Sequence, residues 1–261
     1  MAKIQVLLLR TSGTNCEMEL AYGFQLAGAA TRIAHFNELV RGAVQLKDFQ
    51  ILAFPGGFSY GDDIAAGRLH ALEIRSYLKE SLTEFVQQGK LILGICNGFQ
   101  VLVNAHLLPA GDLGSAKQDL SLAANKSNKF ECRWVYLKGS SKKCVWFPQD
   151  RIICIPIAHG EGRLVPRDDG LLADLKQHDQ IAFRYTDAKG DSGPYPVNPN
   201  GSVDDIAGVC DPSGRILGMM PHPERYLQPE ASPAWTRCRH GSGSDGLEII
   251  SNGVSFIEKE Y

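Results

Sequence analysis

Hydrophobic and polar residues in the first hundred positions follow two alternating patterns. Short, uninterrupted apolar runs bounded by turn residues are typical of strands buried on both faces of a sheet. Such runs occupy residues 4–9, 51–54 and 91–95. Between the first two, Leu20, Phe24 and Ala27 recur with helical spacing. Residues 63–88 are rich in helix formers and are followed by Gly89. This alternation predicts an α/β fold with a mostly parallel central sheet, helices on both faces, and ligands at the carboxyl ends of the strands.

The second half of the chain is less regular. Strand-like apolar segments separated by short helical stretches occupy residues 130–137, 152–157, 181–186, 206–210 and 215–220. Residues 187–202 are dense in Gly, Pro and Asn and predict a loop. A closing helix is predicted where four apolar residues share one helical face: Leu247, Ile250, Val254 and Ile257. We interpret residues 1–261 as a single domain.

Composition and charge exclude some classes of function. The chain is 44% hydrophobic and 21% charged, as is usual for a globular protein. Its formal net charge of -2 provides no basic footprint for nucleic acid and no attraction to an anionic membrane surface. We therefore expect a small-molecule substrate, with no nucleic-acid or membrane partner.

The N-terminus and the cysteines indicate a compartment. The first residues read as a buried strand, because they lack the charge order and cleavage site of a signal peptide. The seven cysteines show neither a zinc-binding spacing nor a disulfide framework: Cys16, Cys96, Cys132, Cys144, Cys154, Cys210 and Cys238. We expect a protein of the reducing cytoplasm with no metal site.

The stretch GKLILGICNGFQVL, residues 89–102, carries the first candidate chemistry. A buried strand runs into Gly94-Ile95-Cys96-Asn97-Gly98 and then into a helical segment, as in a nucleophile elbow with Cys in place of Ser. The sharp turn favours glycines on both sides, and the helix N-terminus stabilises a thiolate. The pattern is short, and a buried core cysteine is the alternative interpretation of Cys96.

A thiolate that attacks a carbonyl also needs a base and an orienting acid. His222 and Glu224 in MMPHPER follow an apolar segment, and prolines on both sides of the histidine predict an extended backbone that points both side chains the same way. A surface His–Glu pair is the alternative. The chain order of nucleophile, histidine and acid disfavours an α/β-hydrolase.

The turn PGGFSYGDD, residues 55–63, follows another buried strand. A Pro-Gly-Gly turn frees backbone N–H groups that can stabilise an oxyanion. An ordinary strand-to-helix turn is the alternative. The segment lacks the GK[ST] ending of a P-loop, so we do not infer an ATP site in this chain.

These motifs together resemble the class I, triad-type glutamine amidotransferases. PGGFSYGDD, GICNGFQVL, PIAHGEGR, NPNGS followed by IAGV, and GMMPHPER occur in the order of that family. GICNGFQ and MPHPER resemble in particular the branch that serves phosphoribosylformylglycinamidine synthesis. Two segments depart from its pattern, residues 9–17 and 65–71. Residues 226–261 extend past the last motif as a C-terminal extension with a packing helix.

The resemblance implies a flavodoxin-like fold and a Cys–His–Glu triad. Cys96 would be the nucleophile, His222 the general base and acid, and Glu224 the orienting carboxylate. The oxyanion hole would be the backbone N–H groups of Gly57 or Phe58 and of Asn97. A further group would contact substrate or a partner: Gly56, Gln100, His159, Glu161 and Arg163. From spacing alone, residues 159–163 would be a charged turn.

The resemblance also implies a reaction divided between chains. Glutamine would be hydrolysed here, and ammonia would pass to a separate synthetase subunit that carries ATP and Mg²⁺, joined by a small bridging subunit. No cofactor is expected in this chain. Two alternatives stay open: a glutaminase that serves another synthetase, and a non-enzymatic redox sensor whose oxidation target is the elbow cysteine.

Overall fold

The computed structural model describes residues 3–114, 117–147, 150–236 and 244–260. The strands in these residues are β1 (Gln5–Arg10), β2 (Ala30–His35), β3 (Ile51–Phe54), β4 (Leu91–Ile95), β5 (Leu120–Ala124), β6 (Glu131–Gly139), β7 (Ile152–His159), β8 (Glu161–Pro166), β9 (Ile181–Thr186), β10 (Ile206–Cys210) and β11 (Ile216–Met219). Nine of them form one sheet in the order β2-β1-β3-β4-β11-β10-β9-β6-β7, and β5 pairs with β8.

Most strands of the large sheet point the same way. β2, β1, β3, β4 and β11 are parallel neighbours, and β10, β9, β6 and β7 continue the sheet by antiparallel pairing. Because two antiparallel steps restore the direction, β9 and β7 also run along β11, so seven of the nine strands share one direction. The carboxyl ends of β1, β3, β4 and β11 therefore meet at one edge of the sheet.

Helices cover both faces of the parallel half. The α-helices in the described residues are α1 (Glu17–Leu26), α2 (Phe36–Val40), α3 (Arg68–Tyr77), α4 (Lys79–Gln87), α5 (Asn97–Asn104), α6 (Asp169–Gln177) and α7 (Asp245–Glu260). Of these, α6 packs on β8 instead. The step from β1 to β2 runs opposite to the step from β3 to β4, so right-handed crossovers place α1 on one face and α3 and α4 on the other. α7 packs on α1, and α5 packs on α3.

The antiparallel half of the sheet curls back towards the parallel half. β7 lies four places from β11 in the strand order. Nevertheless, the backbone N–H of His222, which follows β11, donates to the carbonyl of Pro156 in β7 at 2.8 Å. This curl brings the carboxyl end of β7 to the same place as those of β4 and β11.

The predicted fold class is confirmed, and four of the predicted strands have the predicted bounds. β3, β4, β9 and β10 begin and end where the apolar runs do. The sequence did not predict β2, β5 or β8, whose residues are mostly half-buried or exposed and lack continuous apolar runs. The helical stretch predicted at residues 63–88 contains two separate helices, α3 and α4, which meet at Leu78.

The predicted C-terminal helix is present as α7 and packs through close glycine contacts. A Cβ added to Gly253 would lie 2.3 Å from the ring of Trp146, and one added to Gly23 in α1 would lie 2.6 Å from Ile250. Residues 237–243 of the predicted extension, and Cys238 with them, lie outside the described residues. Among the described helices, none combines the length and hydrophobicity needed to cross a bilayer.

His70 is a buried polar side chain in this core. It lies on α3 at 3% exposure, edge-on to Phe36 at 5.7 Å between ring centroids and near Phe54 at 6.1 Å. Its Nε2 makes no hydrogen bond within the described residues. Burial and the nearby charge of His35 lower the pKa of His70 to about 4. The folded chain therefore holds this imidazole neutral at pH 5, where an exposed histidine is protonated.

We predict that His70→Phe makes the fold less sensitive to acid. As the pH falls below 6.5, His70 becomes protonated in the unfolded chain but stays neutral in the folded chain. His70 therefore lowers the free energy of unfolding increasingly from pH 6.5 down towards 4. Between pH 7 and 5 the wild type should lose about 2 kcal/mol more unfolding free energy than His70→Phe. Urea unfolding at both pH values measures this, with exposed His178→Gln as the control. Equal losses in wild type and His70→Phe would contradict the prediction.

Candidate active site

Cys96 lies in a strained turn between β4 and α5. Its backbone has φ 52° and ψ -106°, which a residue with a Cβ rarely adopts. Its N–H donates to the carbonyl of Met219 on β11 at 2.8 Å, which fixes the turn to the sheet. The flanking glycines are required by close packing: a Cβ on Gly94 would lie 2.8 Å from the Gly98 carbonyl oxygen, and one on Gly98 would lie 1.9 Å from that of Phe54. The predicted elbow geometry is present.

The thiol of Cys96 faces the end of β7 above the first turn of α5. The side chain is 6% exposed, and Sγ lies 3.7 Å from the carbonyl oxygen of Ala158. The first N–H groups of α5 are unpaired and carry the positive end of the helix dipole, which lies beneath the sulfur. The turn therefore presents the sulfur at the edge where the strands end.

His222 and Glu224 form a buried pair next to this sulfur. His222 Nδ1 lies 2.6 Å from Glu224 Oε1, and the residues are 1% and 2% exposed. The extended backbone predicted here is wrong, since Pro223–Arg225 form one 3-10 turn. Proline at the first position of that turn fits the fixed φ of its ring. The turn, rather than strand alternation, brings the carboxylate under the imidazole.

The electrostatics of the pair favour a charged imidazole. Burial alone lowers the pKa of His222, but the charges of Glu224 and Cys96 and contacts with the Cys16 and Cys96 thiols outweigh it and hold this pKa well above 6.5. The carboxylate of Glu224 lies only 2.6 Å from the imidazole and is equally buried, so its charge stabilises the protonated ring. Nε2 of His222 is buried and makes no well-aligned hydrogen bond in the described part of the chain. It is the ring nitrogen available for proton transfer.

The oxyanion loop, residues 55–62, is held by the segment that follows β1. The N–H groups of Asn15 and Cys16 both donate to the Gly56 carbonyl at 3.2 Å. The N–H of Phe58 donates to the Gly13 carbonyl at 2.9 Å, so it is already engaged. Gly57 has φ 147° and takes no part in these bonds, and a Cβ there would lie 2.6 Å from the Gly13 oxygen. Of the two alternative loop donors, Gly57 is the one left available.

Asn97 ties the oxyanion loop to the elbow. Its Oδ1 accepts from the N–H of Ser59 at 3.0 Å, and its Nδ2 donates to Asp62 at 3.1 Å and to Gln100 at 3.0 Å. Gln100 in turn donates to the backbone oxygen of Glu161 at 2.6 Å. Burial raises the pKa of Asp62, partly offset by hydrogen bonds from Gly67 and Asn97. Sequence reasoning assigned no role to Asp62, although this residue lies in the glycine-rich turn.

The five residues that the resemblance placed at the substrate or at a partner do not all lie at the cavity. Gly56 packs on the imidazole of His222, and Gln100, His159 and Glu161 line the cavity over Cys96, whereas Arg163 lies on β8 outside that lining. His159 Nδ1 lies 3.0 Å from Asn125 Oδ1. Burial and the charge of His222 lower the pKa of His159 to about 3, so it is a neutral wall residue. The charged turn suggested by spacing is in part the strand β8.

A cavity of about 350 Å³ opens over the elbow. Its lining includes Cys96, His222, Gly57, Gln100, Glu161, Asp62, Asn15, Arg225, Phe58 and Phe130. The size suits a small molecule with several polar groups. A cysteine in an elbow turn, a histidine paired with a carboxylate, and free backbone N–H groups thus converge on one cavity, an arrangement that can carry out acyl transfer.

Sequence reasoning missed Cys16 and Arg225. Donor atoms of Cys16, His222 and Glu224 all lie within 4.8 Å of one another, which makes them the candidate ligands for a metal ion among the described residues. Two contacts oppose a cation there. Glu224 already binds His222 Nδ1, and the guanidinium of Arg225 donates to Cys16 Sγ at 3.4 Å. No pattern in the sequence pairs two residues that are 209 positions apart.

Known proteins share this architecture over nearly the whole chain. Phosphoribosylformylglycinamidine synthase subunit PurQ of Methanococcus maripaludis is 44% identical over 98% of each chain. The protein of that name from Dehalococcoides mccartyi is also 44% identical, over 99% of this chain and 100% of the relative. The structure of PurLQS from Thermotoga maritima contains a chain with TM-score 0.74 and 28% identity, covering 98% of this chain and 100% of that one.

A family model agrees with these relatives. The model described as a CobB/CobQ-like glutamine amidotransferase domain matches residues 3–257. The resemblance found in the motifs, and the amidotransferase fold it implies, are confirmed. The chain belongs to the CobB/CobQ-like glutamine amidotransferase family.

Proposed function

We propose that this chain is the glutaminase subunit of phosphoribosylformylglycinamidine synthase, which releases ammonia from L-glutamine for de novo purine biosynthesis. The observation that carries the proposal is the convergence of Cys96 and the His222–Glu224 pair on one cavity, in a chain whose near full-length relatives bear that name. A redox sensor has no need for a buried histidine–carboxylate pair, so this alternative is disfavoured. A glutaminase serving another synthetase is disfavoured by the names of these relatives.

The reaction uses the residues in two stages. The Cys96 thiolate attacks the side-chain amide carbon of glutamine, and the N–H groups of Gly57 and Asn97 stabilise the oxyanion. His222 donates a proton to the leaving nitrogen, the C–N bond breaks, and ammonia leaves a γ-glutamyl thioester. His222 then accepts a proton from water as the water attacks the thioester, and cleavage of the C–S bond releases glutamate. Glu224 keeps the imidazole oriented throughout.

The ammonia is used on another subunit. The structure from Thermotoga maritima is named for the assembly PurLQS. By analogy, this chain binds a synthetase subunit and a small bridging subunit, and the synthetase carries ATP and Mg²⁺. The assembly works in the cytoplasm, where the thiol of Cys96 stays reduced.

The position of the oxyanion loop gives a physical reason why glutaminase activity would depend on binding of the synthetase. A competent site needs the N–H of Gly57 aimed at the oxyanion, and the direction of this group is set by the hydrogen bonds of its neighbours Gly56 and Phe58 to residues 13–16. In the isolated subunit this loop is misaligned, so the free chain is a poor glutaminase. Docking of the synthetase at the carboxyl edge of the sheet shifts the loop towards the competent arrangement.

The nucleophile is tested by substitution and labelling. We predict that Cys96→Ala abolishes glutamine hydrolysis but leaves ammonia-dependent synthesis by the assembled complex, because the synthetase step does not use the thiol. A chloroketone analogue of glutamine should add one inhibitor mass to wild type, located at Cys96 by peptide mass spectrometry.

The competing thiol is Cys132, which is exposed and lines the same cavity. Cys144→Ala, a buried cysteine away from the cavity wall, is the control and should keep full activity. Label on Cys132 in place of Cys96, or activity in Cys96→Ala, would refute the assignment.

Substitutions of His222 and Glu224 should lower glutaminase activity to different extents. We predict that His222→Ala lowers kcat/KM by about 10² to 10⁴-fold, the usual contribution of general acid–base catalysis. Glu224→Gln should be milder. Because Glu224 raises the pKa of His222, the variant should lose activity at a lower pH on the alkaline limb, where the imidazolium deprotonates. Steady-state pH profiles decide this. A Glu224→Gln enzyme weaker than His222→Ala would reverse the two roles.

Gating is tested by adding the partners stepwise. If the competent loop is populated at about 1% in the free chain, docking allows roughly a hundredfold activation. We predict that glutaminase kcat/KM rises towards this value when the synthetase, bridging subunit and nucleotide are present. Cys96→Ala in the same mixture measures background hydrolysis. The same kcat/KM with and without partners would remove the gating proposal and leave the catalytic residues unaffected.

A further inference from the structure

Cys16 is a second buried thiol beside the proposed base, and the reaction scheme does not use it. The residue is 1% exposed, and Sγ lies within 4.8 Å of donor atoms of both His222 and Glu224. Both side chains press on the same glycine: a Cβ on Gly56 would lie 3.3 Å from Cys16 Sγ and 2.9 Å from His222 Cε1. The sulfur therefore packs against the imidazole–carboxylate pair on one side and the oxyanion loop on the other.

We propose that Cys16 is a positioning residue for glutamine hydrolysis, joining the His222–Glu224 pair to the oxyanion loop and anchoring Arg225 in the cavity wall. The proposal rests on the function proposed above. It assigns Cys16 no contact with substrate and no covalent step. Its effect is transmitted through His222, through Arg225 and through the backbone of the loop.

The first connection runs through the backbone. The N–H of Cys16 donates to the Gly56 carbonyl at 3.2 Å, and its own carbonyl accepts from Leu20 at 3.2 Å in the first turn of α1. One residue thus fixes the oxyanion loop to the start of a helix. Its side chain projects from the same point onto the base, so a displacement of the loop moves the packing around the imidazole.

The second connection is to Arg225. The guanidinium Nη2 of Arg225 donates a hydrogen bond to Cys16 Sγ at 3.4 Å. Desolvation lowers the pKa of Arg225, but the contact with Cys16 and the charges of Glu224 and Cys96 together outweigh it, so the pKa is raised. Arg225 and Asn15 both line the cavity, and Cys16 Sγ contacts Asn15 Oδ1 at 3.2 Å. The sulfur therefore orders two groups of the cavity wall.

The test compares Cys16→Ala and Cys16→Ser with Cys210→Ala, a matched control in which an equally buried thiol is removed from β10. In the assembled complex, Cys16→Ala should lower glutamine-dependent kcat by roughly tenfold to a hundredfold, as expected for a small misplacement of catalytic groups. KM should stay near the wild-type value, because the residue does not touch substrate. Cys16→Ser keeps a polar atom for Arg225 and should recover much of the loss.

A titration separates positioning from a merely structural role. The contact with Cys16 favours the charged imidazole, so Cys16→Ala should lower the pKa of His222, followed by NMR of the imidazole in the isolated chain. The alkaline limb of the glutaminase profile should move to lower pH with it. Cys210→Ala should leave both unchanged, and ammonia-dependent synthesis should be unaffected in all three variants.

Two results would overturn the proposal. One is a Cys16→Ala chain with the wild-type kcat and the wild-type pKa of His222. The other is an equal loss in Cys210→Ala, which would make the effect one of general packing. Failure of the proposed function is a different result, namely no glutamate formed by the wild-type complex. The NMR titration still reports on Cys16 in that case, because it needs no activity.

Discussion

The strained backbone of Cys96 is the constraint on which the site depends. A side chain at φ 52° is costly, and it persists because the N–H of Cys96 is bound to Met219 on β11 while glycines on both sides allow chains to pack closely. This conformation lifts the sulfur off the sheet and starts α5 directly beneath it. The proposed nucleophile and the helix dipole beneath it thus come from one turn, fixed by the neighbouring strand.

Sheet direction then assembles the remaining groups. Parallel strands deliver Asn15, the oxyanion loop, the elbow and His222 to one edge, each from a different strand end. The curl of the antiparallel half closes the cavity with His159 and Glu161 from the region of β7. Groups far apart in sequence meet because the fold places strand ends together, and each group keeps a rigid support behind it.

The sequence predicted what is encoded locally. Runs such as residues 91–95 identify a buried strand, and glycines around Cys96 identify the elbow, because both depend on neighbours in the chain. It did not choose between Gly57 and Phe58 as donors, since that depends on the Gly13 carbonyl of another loop. Cys16 and Arg225 were missed for the same reason: their roles are set by contacts between distant segments.

Charge balance explains why the cavity keeps a cation beyond the proposed base. With the thiol and imidazole charged, Cys96 and Glu224 contribute two negative charges and His222 one positive charge, which leaves an excess of one negative charge in a buried place. Such an excess is expensive without a partner. Arg225 supplies the second positive charge, and its own charge is stabilised by Glu224 and Cys96 as well as by Cys16. The four groups together are neutral. In the proposed mechanism, the charged pair of Cys96 and His222 therefore relies on an arginine that donates to the Cys16 thiol, and the segment that carries this thiol also binds the oxyanion loop.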